Sequence, residues 1–234
     1  MRVNVDLCTT ETNDLAIMID LLRASTTITL ALNNFDEVIP VNSTDKAFML
    51  REQYGAILAG EENAQKIENF DVSNSPFAIQ DYSGKILVIK TTNGTEVLSN
   101  ILRNNENTKI LIGCALNAHA VAEKALKLAK NEISLVMAGW RNKFTMEDFI
   151  GAGLIINEMI SICDEKNINL ELSEFAQMSL IMSDDTDISQ TLIYSSDSAE
   201  RLKSINAYED INTCLLINES DNVPIYSNGK IKLL

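Results

Sequence analysis

The feature that most constrains this chain is a recurring order of local signals: a short apolar, β-rich run, a polar loop of Ser, Thr, Asn or Gly, then residues at helical spacing. Such units assemble as α/β proteins, because parallel strands need a helical crossover between them. The spacing predicts strands over 16–19, 37–41, 56–59, 85–89, 109–112 and 133–137, and helices over 26–33, 44–53, 95–103, 118–129 and 145–160. The expected class is α/β with a largely parallel sheet. In the first helix Ile28, Leu30, Ala31 and Leu32 are crowded rather than striped, as expected where a helix is buried against a sheet.

Two stretches share one order of apolar strand, turn with a Thr-Thr pair, helix and strand: 16–33 with 37–41, and 85–103 with 109–112. A third unit, 133–160, repeats it with Ala138, Gly139, Trp140 and Arg141 in the turn. The likeness is compatible with an internal duplication whose halves lie near 14–84 and 85–165, although every doubly wound protein repeats βα units. No Pro-rich or low-complexity linker divides residues 1–234, which therefore read as one compact domain or two interlocked lobes. After about residue 167 the pattern weakens, with helical spacing left at 195–203 and 207–216. Asp184, Asp185 and Asp187 read as a solvated turn, since the Gly and terminal Glu of a calcium loop are missing.

At 234 residues and 46% hydrophobic content the chain can bury a sizeable core. A net charge of −14 with no cluster of Lys and Arg excludes a duplex nucleic-acid face. The same charge means that a polyanionic substrate needs a bound cation or a local basic pocket. Arg2-Val-Asn-Val-Asp lacks the apolar core of a signal peptide, and no window nears the roughly 18 apolar residues of a membrane span, so a cytosolic protein without a membrane partner is expected. Cys8, Cys114, Cys163 and Cys214 form no CxxC pair and read as buried small apolar residues. Oligomeric state is left open, a homo-oligomer included.

Three segments carry groups suited to a phosphate ester. In the first, Asp20 ends an apolar run and passes through Arg23 into Ser25, Thr26 and Thr27. That order delivers a carboxylate for a hard cation, a guanidinium fork and three hydroxyls to a helix mouth with free N–H groups. The alternative is that Asp20 caps its own turn and Arg23 neutralises it. The second is Thr91-Thr92-Asn93-Gly94-Thr95, whose hydroxyls and Asn-Gly turn can cradle an anion. The third runs from Ala59-Gly60-Glu61, a second metal carboxylate, to Asp71, Asn74 and Ser75 in a Pro-terminated loop, which either closes over the site or is turn chemistry alone. Asn117 follows another strand; Glu147 and Asp148 read as macrodipole complements in a first helical turn. His119, the only histidine, reads as a surface residue, and no nucleophile elbow supports a Ser-His-Asp hydrolase.

In this order the segments resemble the 2-phosphosulfolactate phosphatase family from about Asp14 to Pro224. The matching pieces are the stretch from Ile19 to Thr27, Ala59-Gly60-Glu61, Phe70-Asp71 with Asn74-Ser75-Pro76, the turn from Thr91 to Thr95, Asn117-Ala118, Ala138-Gly139, Phe144 with Glu147-Asp148, and Ala152-Gly153. The resemblance implies a three-layer α/β/α fold with a largely parallel or mixed sheet and related, intertwined halves. It also implies Mg²⁺-dependent hydrolysis of (2R)-2-phospho-3-sulfolactate to sulfolactate and phosphate, a step of coenzyme M biosynthesis. On that basis Asp20 and Glu61 are expected to position Mg²⁺, Arg23 to stabilise phosphoryl charge, and Thr92, Asn93 and Thr95 to grip the other anionic end. Ser25, Thr26, Thr27, Asn74, Ser75, Thr91, Gly94 and Asn117 complete the expected binding set. Asp71 is the expected general base, with a covalent aspartyl-phosphate on Asp20 as the alternative. The chain departs from the family pattern at Glu62 (usually Arg), Asn69 and Ser73 (usually Gly), Gly151 (usually Cys) and Trp140 (usually small and polar). The charge reversal at Glu62 keeps a second reading open: a relative that binds another small acid or phosphate ester, or binds without hydrolysis.

Overall fold

The apolar run at Leu15–Ile19 is a strand with all five residues buried, as a strand covered on both faces must be. It lies within a computed structural model that describes residues 1–234. The strands are β1 (Arg2–Leu7), β2 (Leu15–Ile19), β3 (Phe35–Val41), β4 (Ile57–Glu62), β5 (Gln65–Lys66), β6 (Gly84–Lys90), β7 (Lys109–Gly113), β8 (Glu132–Met137), β9 (Glu171–Leu172), β10 (Pro224–Ser227) and β11 (Lys230–Leu233). The helices are α1 (Ala24–Ala31), α2 (Thr44–Tyr54), α3 (Gly94–Asn104), α4 (Ala118–Leu128), α5 (Met146–Lys166), α6 (Glu174–Ser183), α7 (Thr186–Tyr194), α8 (Asp197–Ser204) and α9 (Tyr208–Cys214). The architecture is three-layer α/β/α around one mixed sheet of 11 strands.

That sheet runs β5-β4-β6-β3-β11-β10-β7-β2-β8-β1-β9. It consists of two parallel blocks, β4-β6-β3 and β7-β2-β8-β1-β9, joined through the antiparallel hairpin β10–β11. Ile231 pairs with Val38 on one side of the hairpin and Ile225 with Leu111 on the other, while Lys230 and Lys232 both pair with Glu37. Each of the two similar segments contributes one strand to each block: β2 and β3 from the first, β6 and β7 from the second.

All six predicted strands and all seven helical stretches are present. Strand β1 escapes the spacing argument because only Val3 and Val5 are fully inward among Arg2, Asn4 and Asp6. Helix α6 escapes it because its polarity is reversed. Ala176, Ser179 and Ser183 face inward, while Phe175, Met178 and Ile181 are exposed. The reason is close packing on α5: a Cβ on Gly153 would sit 2.1 Å from the Ser179 carbonyl oxygen. Gly153→Ala is therefore expected to cost about 1–3 kcal/mol of overpacking strain, read as a lower urea midpoint; an unchanged midpoint would show that the two helices separate without cost. The acidic stretch contains a helix start, where Asp185 accepts the Ile188 N–H at 3.0 Å. His119 pairs with Glu158 at the surface. The four cysteines are free, and three of them are buried.

Candidate active site

Ligands in open α/β sheets bind beyond the carboxyl ends of the parallel strands. Here the ends of β2, β4, β6 and β8, drawn from both blocks, deliver Asp20, Glu61, Thr91 to Asn93 and Gly139 to Arg141 to one solvent-open cleft. Asn74, Glu147 and Asp148 complete its floor, and Asn63, Trp140 and Arg201 stand in its wall.

Asp20 is buried, and its Oδ1 accepts the Ala24 N–H at 3.2 Å. Its Oδ2 accepts no hydrogen bond and lies against Gly94, where a Cβ would come within 3.6 Å. Burial raises its pKa to about 6; the Ala24 N–H opposes this, the Glu61 and Glu147 carboxylates add to it, and Arg23 lowers it. Glu61 is oriented by three donors: Thr92 N at 3.2 Å and Thr92 Oγ1 at 2.7 Å on Oε1, and Ala64 N at 2.8 Å on Oε2.

Of the expected macrodipole pair, Asp148 instead ties two turns together. It accepts Leu21 N at 2.8 Å, Gly139 N at 2.9 Å and Thr145 Oγ1 at 2.9 Å. Burial foremost, then the charges of Glu147 and Asp20, pushes its pKa well above the usual carboxylate range. Gly139 is needed at that junction: its φ is +63° and a Cβ would lie 2.3 Å from the Lys143 carbonyl oxygen. Glu147 is buried at the cleft with no donor on its carboxylate.

Several expected binding residues turn away from the cleft. Ser25, Thr26 and Thr27 are fully buried, and their hydroxyls donate to the carbonyls of Asp20, Leu21 and Arg23 at 2.7–3.1 Å. The mouth of α1 is thus occupied by Asp20 itself and by its own hydroxyls. Side-chain hydroxyls there satisfy main-chain groups that would otherwise be buried without partners. Asn117 is fully buried and bonded to Cys114 N, Ile112 O and Asn222 O. Asp71 lies outside the cleft, ion-paired with Arg51 and accepting the Leu58 N–H at 2.8 Å. Ser75 donates to Asp210 and accepts the Ala78 N–H.

Arg23 borders the cleft, but its Nη1 is bound to Asp210 Oδ2 at 2.5 Å and its Nη2 to the Ala64 carbonyl at 3.0 Å. The peptide between Leu22 and Arg23 is cis.

The second turn keeps more of its expected place. Thr91, Thr92 and Asn93 line the cleft; Gly94 opens α3 beside Asp20; Thr95 donates back to the Thr91 and Val41 carbonyls. Asn74 is 4% exposed, and its Oδ1 is the one buried side-chain polar atom without a hydrogen-bond partner. Glu62, the charge reversal, is exposed and outside the cleft lining, and Asn69 holds the left-handed conformation (φ +63°) that a glycine there would take.

The donors on the cleft floor are all oxygens: Asp20 Oδ2, the Glu61 carboxylate, Glu147 and the orphaned Asn74 Oδ1. Hard divalent cations take such sets, and Mg²⁺ commonly uses one or two carboxylates together with waters and substrate phosphate. No three His, Cys, Asp or Glu side chains converge tightly enough to cage an ion by themselves.

Asn63 and Arg201, which line the cleft, and Asp210, which holds Arg23, are not marked by any local spacing in the sequence. Trp140 and Arg141 were visible as a turn after a strand; Arg201 and Asp210, on α8 and α9, had no local signal.

A family profile described as 2-phosphosulpholactate phosphatase matches residues 3–229. A 2-phosphosulfolactate phosphatase of Methanothermobacter thermautotrophicus is 38% identical over 234 residues, covering 100% of this chain and 96% of its own length. A chain of Clostridium acetobutylicum named "Probable 2-phosphosulfolactate phosphatase" is 35% identical over 94% of this chain and 92% of its own. One of the same name from Caldanaerobacter subterraneus is 34% identical over 92% and 89%. With a profile match over nearly its whole length, this chain belongs to the 2-phosphosulpholactate phosphatase family.

Proposed function

We propose that this protein hydrolyses (2R)-2-phospho-3-sulfolactate to sulfolactate and phosphate with Mg²⁺, as a step of coenzyme M biosynthesis. The observation that carries this is the cleft itself, with its all-oxygen acidic floor, orphaned Asn74 Oδ1 and arginine-bearing rim, in a chain of this family. The position of Glu62 outside the cleft lining supports an active enzyme over a relative that only binds.

Asp20, Glu61 and Asn74 Oδ1 are the residues that would hold Mg²⁺. When bound, it polarises the phosphoryl group and acidifies an attacking water. The Ala24 N–H holds the Asp20 carboxylate in place by Oδ1, leaving Oδ2 for the ion. Thr92 orients Glu61 through Oε1 and the Ala64 N–H through Oε2, which fixes the carboxylate facing the cleft. The first N–H groups of α3, at Asn93 and Gly94, are placed to donate to phosphoryl oxygens. Glu147, with no donor on its carboxylate, takes the proton from water; Asp71 has no part in this step, because its carboxylate is committed to Arg51 outside the cleft. Arg23 acts through the floor it braces.

Phosphate release from 2-phosphosulfolactate is expected with Mg²⁺ and to be lost after chelation. No release with metal present would overturn the phosphatase reading. Metal-independent release would remove only the ligand roles of Asp20, Glu61 and Asn74.

A further inference from the structure

Trp140 N donates to Lys143 O at 3.0 Å and Lys143 N to Trp140 O at 3.1 Å, closing a tight hairpin turn. The two residues between, Arg141 and Asn142, have φ of +51° and +61°, the backbone of a turn that favours Asn and Gly. Arginine is an uncommon residue in that conformation, which points to a role for its side chain. The Arg141 guanidinium lies 4.5 Å from the centre of the Trp140 ring and donates to Asn63 Oδ1 at 3.3 Å. Arg201, from α8, lies 4.5 Å from the same ring, and its Nη2 donates to Ser198 Oγ at 2.6 Å.

Neither guanidinium has a carboxylate partner, whereas Arg23, the third arginine at the cleft, is neutralised by Asp210. Two like charges on one indole repel each other, and the ring's negative face offsets only part of that repulsion. The cleft is consequently divided: carboxylates make its floor, and two unneutralised cations share one ring at its rim.

We propose that Arg141 and Arg201, held together by Trp140, bind the sulfonate of the substrate while its phosphate meets the floor. This rests on the substrate reading given above. A sulfonate stays ionised at any physiological pH and presents three oxygens in a pyramid, so it accepts from two guanidinium forks that are not coplanar. A planar carboxylate is matched by a single coplanar fork. Arg141 and Arg201 touch the ligand; Trp140 is a positioning residue. Two elements far apart in the chain thereby set the preference for a sulfonated acid, and α8 has a functional role although it lies outside the sheet.

The test compares matched pairs with and without the sulfonate: binding of sulfolactate and lactate by calorimetry with Mg²⁺ present, and turnover of 2-phosphosulfolactate and 2-phospholactate. In Arg141→Gln and in Arg201→Gln the preference for the sulfonated member, as a ratio of Kd or of KM, is expected to fall about tenfold or more. Trp140→Ala should lower the same ratio and Trp140→Phe restore most of it. A general folding defect would weaken both members of each pair and leave the ratio where it was; that result overturns the proposal, as does failure of the unaltered protein to bind sulfolactate. Arginine-dependent sulfolactate binding without phosphate release would sink the phosphatase reading and uphold the clamp. Turnover of 2-phosphosulfolactate with the ratio intact in both arginine variants would do the reverse.

Discussion

Asp20→Asn is expected to abolish phosphate release while making the metal-free protein more stable at neutral pH, by on the order of 2–3 kcal/mol. Burial and the neighbouring carboxylates raise the Asp20 pKa to about 6, above the ordinary 3.8 it regains on unfolding. Between those values the folded chain keeps a proton that the unfolded chain has released. Stability therefore falls as pH rises from about 4 to about 6 and stays lowered above that. Asparagine keeps an Oδ1 acceptor for Ala24 N–H and carries no charge, so the loss disappears. Urea midpoints at pH 7.5 and pH 4 check this: the variant should lead at the higher pH and lose its lead at the lower. A variant no more stable than the parent at pH 7.5 contradicts it. Saturating Mg²⁺ should narrow the difference at pH 7.5, because an ion that binds only the folded parent stabilises it by mass action.

The opposite sign is expected at Asp210. Asp210→Ala should destabilise the fold by about 3–5 kcal/mol, the range for removing one partner of a buried ion pair. Asp210 and Arg23 have side chains only 6% and 3% exposed, so the arginine left behind would be a buried charge with one carbonyl partner. The same carboxylate also receives the Ser75 hydroxyl and the Phe77 N–H at 3.4 Å. Its loss therefore frees the loop that carries Asn74, and kcat/KM should fall together with a melting temperature lowered by roughly 10 °C. The double variant Arg23→Met with Asp210→Leu should recover most of the stability and little of the activity, since apolar residues of similar size replace such pairs at small cost. A single-variant loss below about 1 kcal/mol would show that water reaches the pair in solution.

These two residues mark the boundary of what spacing can reveal. Asp20 was legible because an apolar run that stops at a carboxylate places that carboxylate at a strand's end, whatever the rest of the molecule does. Glu61 and the turn from Thr91 to Asn93 were legible for the same reason. Arg23 was legible as a charged group near the site, but its committed partner lies 187 residues away on α9. Ser25, Thr26 and Thr27 have the composition of an anion cradle, yet each donates to a main-chain carbonyl of the turn that leads into α1. A hydroxyl within reach of a carbonyl one turn back has two uses, and composition does not choose between them. Asp71 and Asn74 share one short loop, but Arg51 on α2 holds the first outside the cleft while the second remains free at it.

By itself the sequence determined the βα rhythm, the buried strands and the carboxylates at their ends, because burial along one element is written in the period of its own residues. Tertiary structure decided the rest. The hairpin Pro224–Ser227 with Lys230–Leu233 joins two parallel blocks into one sheet, α5 and α8 bring Glu147 and Arg201 to a cleft begun at Asp20, and α9 brings Asp210 to the Arg23 that borders it. Those partners are set by the packing of whole elements, and a side chain's neighbour across a long stretch of chain leaves no local period from which to read it.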